Sequence, residues 1–155
     1  MKIKKSKLLK RTLNFYKINF AFFDPFHLLL DGNFLNLLVE KKIDLKGKLE
    51  KILKGTIFLQ SSECIVYELS LLGDDFRGCY IQARKLSRIK CHIKDHKNPK
   101  DCILEIIGEK NDGKYMVGTQ DENLRKELRN IIGVKIWIKY LLINFQKGPY
   151  FLFQQ

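Results

Sequence analysis

Short apolar runs alternate with longer segments of helical character along most of this chain, and this alternation is what most restricts its fold. The run Phe26–Leu30 follows Pro25 and is apolar except for one histidine, as in a strand buried on both faces of a sheet. Further strands are predicted at Thr56–Leu59, Tyr115–Gly118 and Val134–Lys139, with a fifth candidate at Leu142–Phe145. Strands joined through helices need crossover connections. The sequence therefore predicts a three-layer α/β domain with a mainly parallel central sheet and helices on both faces.

The segments between these strands carry helix signals. Helices are predicted over Asn33–Lys42, Leu45–Leu53, a segment from Ser61 or Ser62 to Leu72, Asp75–Leu86, Lys100–Ile107 and Asp121–Arg129. Asp44 and Asp121 are suitable N-caps, and Pro99 fits the first turn of its helix. Residues 88–98 are predicted to form a basic loop that contains two histidines.

Charge is the second strong constraint. The chain of 155 residues carries 29 Lys and Arg against 17 Asp and Glu, which gives a formal net charge of +12. A single domain this basic most often binds a polyanion, and we favour nucleic acid over an anionic membrane surface. We divide the sequence into a basic N-terminal arm, residues 1–24, and one α/β domain, residues 25–155.

The predicted RNA-binding surface consists of this arm and two further basic groups. Residues 1–23 contain no acid and interleave lysines with Phe and Leu, which suits phosphate contacts together with base stacking. The other two groups surround the loop at 88–98 and lie on the helix after Asp121. Each basic residue taken singly could also be a solvated surface charge. The predicted RNA-binding residues are Lys4, Lys5, Lys7, Lys10, Arg11, Arg84, Arg88, Lys90, Lys94, Lys97, Lys100, Arg125 and Arg129.

Several protein classes are not expected from this sequence. No run approaches the roughly 18–20 apolar residues of a membrane-spanning helix, and no apolar stretch typical of a secretory signal follows the basic N-terminus. We therefore expect a reducing compartment, in which the four cysteines are thiols or metal ligands rather than disulfides. Neither a membrane nor a small-molecule substrate is an expected partner.

Four carboxylates have positions that suit a metal-dependent site. Asp31 and Asp121 each follow a predicted strand, and ligands of parallel sheets bind beyond the carboxyl ends of the strands. Glu68 lies on the helix after the second strand, and Asp101 lies in the first turn of the helix after Pro99. Converging acids can hold Mg²⁺ or Mn²⁺ for phosphodiester hydrolysis. Each acid also has a simpler interpretation, as a helix cap, a favourable charge at a helix N-terminus or a solvated residue.

Four stretches together resemble the PIN-domain rRNA-processing proteins of the small-subunit processome, in the branch called Utp23, whose sister branch is Fcf1. They are MKIKKSKLLKRTLNFYKINFAFFDPFHLLLDGNF, SSECIVYELSLLG, KCHIKDHKNPKDC and YMVGTQDENLRKELRNIIGVKIWI. The last is the most specific, because it combines a strand, an acid, a basic helix and a Gly-Val turn in order. It departs from the family at Gly118, where Ala is usual, and at Ile132, where Pro is usual.

This resemblance implies a PIN fold and places Asp31, Glu68, Asp101 and Asp121 at the family's acidic positions. It implies an RNA-binding assembly factor for small-subunit rRNA processing and ribosome biogenesis in the nucleus and nucleolus. The implied partners are pre-rRNA, snoRNA and processome proteins. Some members of the Utp23 branch have lost these acids and resemble RNA-binding scaffolds, whereas this sequence keeps all four. Two alternatives stay open: an active metal-dependent endoribonuclease that cleaves pre-rRNA, and a basic ribosomal protein.

The resemblance also implies a structural zinc site in the loop at residues 88–102. Zinc takes four nitrogen or sulfur ligands in a tetrahedron, and the family carries a site of the Cys-Cys-His-Cys type. The implied ligands are Cys64, Cys91, His92 and Cys102, and His96 is the alternative to His92.

The choice between the two histidines stays open because relatives place the histidine two residues after the cysteine. Here His92 follows Cys91 directly, and His96 comes five residues after it. Cys64 and Glu68 are four residues apart and so share one helix face. Cys102 directly follows Asp101. A zinc ion would therefore tie the helix that bears Glu68 to the start of the helix that bears Asp101 and fix these two acids relative to each other.

Overall fold

The fold is built on a five-stranded sheet with helices in the connections. The computed structural model describes residues 11, 14–91, 98–131 and 135–137. The strands are β1 (Phe26–Leu30), β2 (Ile57–Ser62), β3 (Ser87–Ile89), β4 (Tyr115–Gly118) and β5 (Lys135–Trp137). The helices are α1 (residues 14–20), α2 (Gly32–Glu40), α3 (Leu45–Leu53), α4 (Glu63–Leu71), α5 (Arg77–Lys85), α6 (Pro99–Ile107) and α7 (Glu122–Arg129), with a 3₁₀ turn at Asp74–Phe76.

All four strand pairings in this sheet are parallel, and the strand order is β3-β2-β1-β4-β5. The first strand in the sequence, β1, is therefore the central strand of the sheet. From β1 the chain proceeds outward through β2 to β3, and it then crosses to the other side of β1 to form β4 and β5. The direction of winding reverses between β1 and β4. In open parallel sheets such a reversal leaves a crevice beyond the carboxyl ends of the two strands, where ligands bind.

The central strand β1 is apolar because both of its faces are covered. Leu28, Leu29 and Leu30 are buried in the middle of the sheet. Beside β1, Gly118 of β4 allows close packing, since a Cβ at this position would lie 2.9 Å from Leu30 Cδ2 and 3.0 Å from the Phe34 ring. The glycine thus makes room for these two large side chains at the end of the strand pair.

The helices lie in two layers. Helices α2, α4 and α5 contact one another, which places the connections between β1, β2 and β3 on one side of the sheet. Right-handed crossovers in the opposite winding direction place α6 and α7 on the other side. The predicted three-layer α/β architecture with a parallel sheet is confirmed.

Most of the predicted helices are present, and their caps have the expected geometry. Asp44 caps α3 by accepting a hydrogen bond from the Gly47 N–H, 3.0 Å. Ser62 caps α4 by accepting one from the Ile65 N–H, 3.3 Å. Pro99 is the first residue of α6.

The prediction for the segment after α5 was wrong. Residues 87–89 form strand β3, which pairs in parallel with Gln60–Ser62 of β2, whereas the sequence predicted a basic loop from residue 88. The strand has three residues, Ser-Arg-Ile, and only the isoleucine is apolar. Its extended conformation is fixed by pairing with β2 rather than by local preference. The strand predicted at Leu142–Phe145 lies outside the described residues.

The end of the N-terminal arm packs against the domain. Phe22 is buried in the core, and Tyr16 and Phe20 are partly buried against it, while Phe15 and Ile18 face solvent. The division of the chain at residues 24 and 25 stays a prediction. Among the residues that the structure describes, no helix has the length and apolar character needed to cross a membrane.

Candidate functional site

Asp31 and Asp121 follow the adjacent strands β1 and β4 and are joined through Thr119. The Asp31 N–H donates to the Gly118 carbonyl, 2.9 Å, which extends the pairing of the two strands by one residue. The Thr119 hydroxyl donates to Asp31 Oδ2, 2.9 Å, and accepts from the Asp121 N–H, 3.1 Å. Asp31 and Thr119 are both buried. One hydroxyl group therefore positions the two segments that carry these acids.

Glu68 approaches the same place from α4. A Cβ on Gly32, the residue after Asp31, would lie 3.5 Å from Glu68 Oε2. Burial raises the pKa of Glu68, and the charge of Asp31 raises it further. We call Asp31, Glu68 and Asp121 the acid cluster.

The environment of Asp31 makes its charged form unfavourable. Burial is the largest cause of its raised pKa, and the charge of Asp121 adds to the effect. Hydrogen bonds from the Thr119 hydroxyl and the Gly32 N–H oppose this shift without cancelling it. A bound cation would offset the repulsion and favour the charged forms.

Asp121 also caps α7, as the sequence predicted. Its Oδ1 atom accepts hydrogen bonds from the N–H groups of Asn123, 2.7 Å, and Leu124, 3.2 Å. The cap fixes the carboxylate against the start of the helix. The prediction of Asp121 as a helix cap is confirmed, and the cap is compatible with the predicted role of Asp121 as a site residue.

Asp101 is not bonded to the acid cluster in the described part of the chain. It is exposed, and its Oδ2 accepts a hydrogen bond from the Asn98 side chain, 2.8 Å. The neighbouring Lys100 forms an ion pair with Glu127 of α7, with 2.5 Å between Nζ and Oε1. The hydrogen bond to Glu127 raises the pKa of Lys100, and the charges of Asp121 and Asp101 raise it further. Lys100 thus lies within electrostatic reach of both Asp101 and Asp121.

The acid cluster is wider than a formed metal site. Among the described residues, the group of three or more candidate ligand atoms within 4.8 Å of one another consists of cysteines and includes none of the acids. The structure brings Glu68 and Asp121 within electrostatic reach of Asp31, whereas Asp101 is not bonded to any of these acids in the described part of the chain.

Three of the predicted zinc ligands do come together. The Sγ atoms of Cys64, Cys91 and Cys102 lie within 4.8 Å of one another, and those of Cys64 and Cys91 are 3.0 Å apart. Cys64 lies near the start of α4, Cys91 follows β3 and Cys102 lies in α6. We call these residues the thiol cluster. It joins three elements at the carboxyl edge of the sheet.

The donor set of the thiol cluster fits a metal ion. Tetrahedral zinc with Zn–S bonds of about 2.3 Å needs sulfur atoms about 3.8 Å apart, which is within the observed range. Burial raises the pKa of the Cys64 and Cys102 thiols, and the crowding of Cys91 against them raises it further. A thiophilic ion would displace these protons. Both candidate histidines, His92 and His96, lie outside the described residues.

The predicted RNA-binding residues differ in accessibility. Arg84, Arg88 and Lys90 are exposed around β3, whereas the Lys100 ammonium group is bound to Glu127. The Nε atom of Arg125 is buried without a hydrogen-bond partner among the described atoms. Arg11 and Arg129 are also exposed. The other predicted RNA-binding residues lie outside the described residues; they are Lys4, Lys5, Lys7, Lys10, Lys94 and Lys97.

Two features of the site were not predicted. Thr119 was overlooked, although its position two residues before Asp121 at the end of a strand was visible in the sequence. The second is a polar cleft of about 390 Å³ beside Asp121, formed by one face of α2 and residue Gln120.

Comparisons with known proteins agree with this architecture. The family model described as Fcf1 matches residues 51–141. The "rRNA-processing protein utp23" of Schizosaccharomyces pombe is 30% identical over 88% of this chain and 54% of its own length. The "rRNA-processing protein fcf1" of the same organism is 31% identical over 79% of this chain and 63% of its own length. This chain therefore spans little more than half of the length of the first relative and less than two thirds of the length of the second.

A solved structure supports the fold assignment directly. This chain superimposes on the solved structure described as "Structure of the PIN domain endonuclease Utp24" with a TM-score of 0.62, and the two sequences are 32% identical. The match covers 74% of this chain and 85% of that one. The family resemblance seen in the sequence is confirmed: the chain belongs to the Fcf1 family and has a PIN-domain fold.

Proposed function

We propose that this chain acts in rRNA processing during ribosome biogenesis, as an RNA-binding assembly factor of the small-subunit processome. The observation that carries the proposal is the acid cluster at the carboxyl edge of a PIN sheet in a chain of the Fcf1 family. Relatives named as rRNA-processing proteins support it. They favour it over the alternative of a basic ribosomal protein.

The charge of the chain supports RNA as the ligand. The net charge is +12, and Arg84, Arg88 and Lys90 present a positive surface beside β3. Basic residues attract the phosphate backbone and release its counterions, which gives salt-dependent affinity. The proposed partners are pre-rRNA or snoRNA together with processome proteins. The proposed location is the nucleus, within the nucleolus.

Zinc is the metal that we propose for the thiol cluster. Three thiols that gather from three elements suit a structural role, because the ion would hold those elements together. The proposed fourth ligand is His92, with His96 as the alternative. The ion would hold α4, the helix that carries Glu68, in a fixed position relative to the start of α6, where Asp101 lies.

Crosslinking in native cells tests the proposed function. RNA crosslinked to the full protein should be enriched in small-subunit rRNA precursors or the snoRNAs that pair with them, and depletion of the protein should cause unprocessed precursors to accumulate. Normal precursor processing after depletion, with no enrichment of these RNAs, would contradict the proposal.

The second candidate function is a metal-dependent endoribonuclease. The specific observation in its favour is that Asp31 lies within electrostatic reach of both Glu68 and Asp121. A divalent ion held there would activate water and stabilise the leaving oxygen. Thr119 would orient Asp31, the α7 cap would hold Asp121, and the basic surface would bring the phosphodiester to the acids.

Cleavage of structured RNA with Mn²⁺ separates the two candidates. Activity in the wild type that is lost in Asp31→Asn and kept in Asp75→Asn would establish the nuclease, because Asp75 is an exposed acid in the 3₁₀ turn. RNA binding without Mn²⁺-dependent cleavage would establish the assembly factor.

A further inference from the structure

The polar cleft beside Asp121 combines one face of a helix with one loop. Asn33, Asn36, Leu37 and Glu40 line it from α2, and Gln120 and Asp121 line it from the loop after β4. The α2 residues have the spacing i, i+3, i+4 and i+7, which places them on one helix face. We call this feature the amide cleft. Its volume of about 390 Å³ is in the range of small-ligand sites.

The position of the amide cleft is set by the winding of the sheet. Helix α2 follows β1, the loop with Gln120 follows β4, and these adjacent strands flank the point where the winding reverses. Ligand sites of open parallel sheets form at this point. The cleft also shares Asp121 with the acid cluster, so a ligand in it would lie directly beside the acids.

The lining determines which part of an RNA molecule the cleft can accept. Its six residues are neutral or acidic, so a phosphate group would be repelled. Carboxamides and carboxylates suit an uncharged group that has hydrogen-bond donors. The Asn36 side chain donates to Glu40 Oε1, 2.8 Å, which holds both groups in position on the helix face.

We propose that the amide cleft binds one base of single-stranded RNA, and that it selects a base with an exocyclic amino group. This inference rests on the proposed RNA-binding function and adds a specificity to it. Carboxylates accept hydrogen bonds from the amino group of cytosine, and Asn and Gln pair with adenine. Uracil keeps one ring donor, N3–H, but at ring position 4 it presents a carbonyl oxygen in place of the amino group, and the carboxylates of Glu40 and Asp121 repel that oxygen.

Cytosine and uracil provide a matched test, because at ring position 4 cytosine has an amino group and uracil a carbonyl. Fluorescence anisotropy should be measured for the full chain with labelled octamers of cytidine and of uridine, in EDTA so that no cleavage occurs. The wild type should bind the cytidine octamer at least about 5-fold more tightly than the uridine octamer. This factor corresponds to the lower limit of the discrimination that one specific base contact provides.

Glu40→Gln tests the cleft itself. The substitution replaces one carboxylate oxygen, an acceptor, with an NH2 donor and removes the negative charge, so the ratio of the two affinities should fall towards one. Glu105→Gln is the matched control, since Glu105 is an exposed acid on α6. It should change both affinities together and keep their ratio. Thermal melts would show that both variants are folded.

The possible failures are distinct. Equal affinities for the two octamers in the wild type, or a preference that Glu40→Gln leaves unchanged, would overturn the inference alone. Absence of binding to either octamer at low salt would contradict the proposed RNA-binding function and the inference together.

Discussion

Thr119 donates a hydrogen bond to Asp31 Oδ2 at 2.9 Å across the ends of two neighbouring strands. The residues are 88 positions apart in the sequence, and the contact exists because β1 pairs with β4. The same hydroxyl accepts from the Asp121 N–H. A single side chain therefore couples both strand-end acids to the sheet.

Replacement of Thr119 should expose this coupling. Thr119→Val keeps the shape and removes the hydroxyl, leaving a buried carboxylate without one of its donors. We expect a loss of about 1–3 kcal/mol in the free energy of unfolding, measured by urea denaturation. Thr119→Ser is the control and should retain most of the stability. Equal stability of the valine variant and the wild type would show that the hydroxyl does not support the site.

Asp31→Asn should stabilise the metal-free protein at neutral pH. The pKa of Asp31 is raised in the folded state, so its contribution to stability is complete below the ordinary Asp pKa and is lost as the pH rises through the folded pKa. The variant does not undergo this loss. Its melting temperature in EDTA should exceed that of the wild type by about 2–4 °C at pH 7.

The pH dependence provides the check on that explanation. The difference between Asp31→Asn and the wild type should shrink as the pH falls towards about 4, because Asp31 then becomes protonated in the wild type as well. A difference that stays constant between pH 7 and pH 4 would assign the effect to packing instead of to charge.

Purified protein should contain about one zinc ion per chain, bound at the thiol cluster. Cys91→Ser should reduce the zinc content, measured by elemental analysis, and lower the melting temperature by several degrees. Cys79→Ala is the control, because Cys79 is buried against the Gly32 carbonyl, away from the cluster. Full zinc content in Cys91→Ser would show that the cluster does not hold the ion.

The accessible basic residues should contribute more to RNA binding than the paired one. Substitution of Arg88 and Lys90 by Gln should weaken affinity and reduce the slope of log K against log salt by about 0.7 per lost phosphate contact. Lys100→Gln should change the slope less, since its ammonium group is bound to Glu127. A larger slope change for Lys100→Gln than for the double variant would contradict this assignment.

The fold could be predicted from the sequence because its local signals agree with the tertiary structure. The apolar run at β1 and the caps at Asp44 and Ser62 each point to the element that forms. Strand β3 could not be predicted, because three residues with one apolar side chain carry too little pattern and the pairing with β2 decides their conformation.

The site was predictable to the extent that topology determines it. Asp31 and Asp121 follow strands, and the carboxyl ends of parallel strands share one edge, so their meeting follows from the alternation of strands and helices. The position of Thr119 before Asp121 is visible in the sequence, but its hydrogen bond to Asp31 depends on which strands are neighbours, and so does the amide cleft. No local pattern shows which strands are neighbours. The environment of Asp101 depends on the start of α6, where the Asn98 side chain caps the helix and donates a hydrogen bond to Asp101 Oδ2.

The central proposal for the acid cluster is that Asp31, Glu68 and Asp121 form one site for a divalent cation. Anomalous diffraction from crystals soaked in Mn²⁺ tests it most directly. The account predicts a manganese peak bounded by these three carboxylates and absent from crystals of Asp31→Asn. Well-ordered wild-type crystals with no peak there, or with manganese only at other positions, would contradict it.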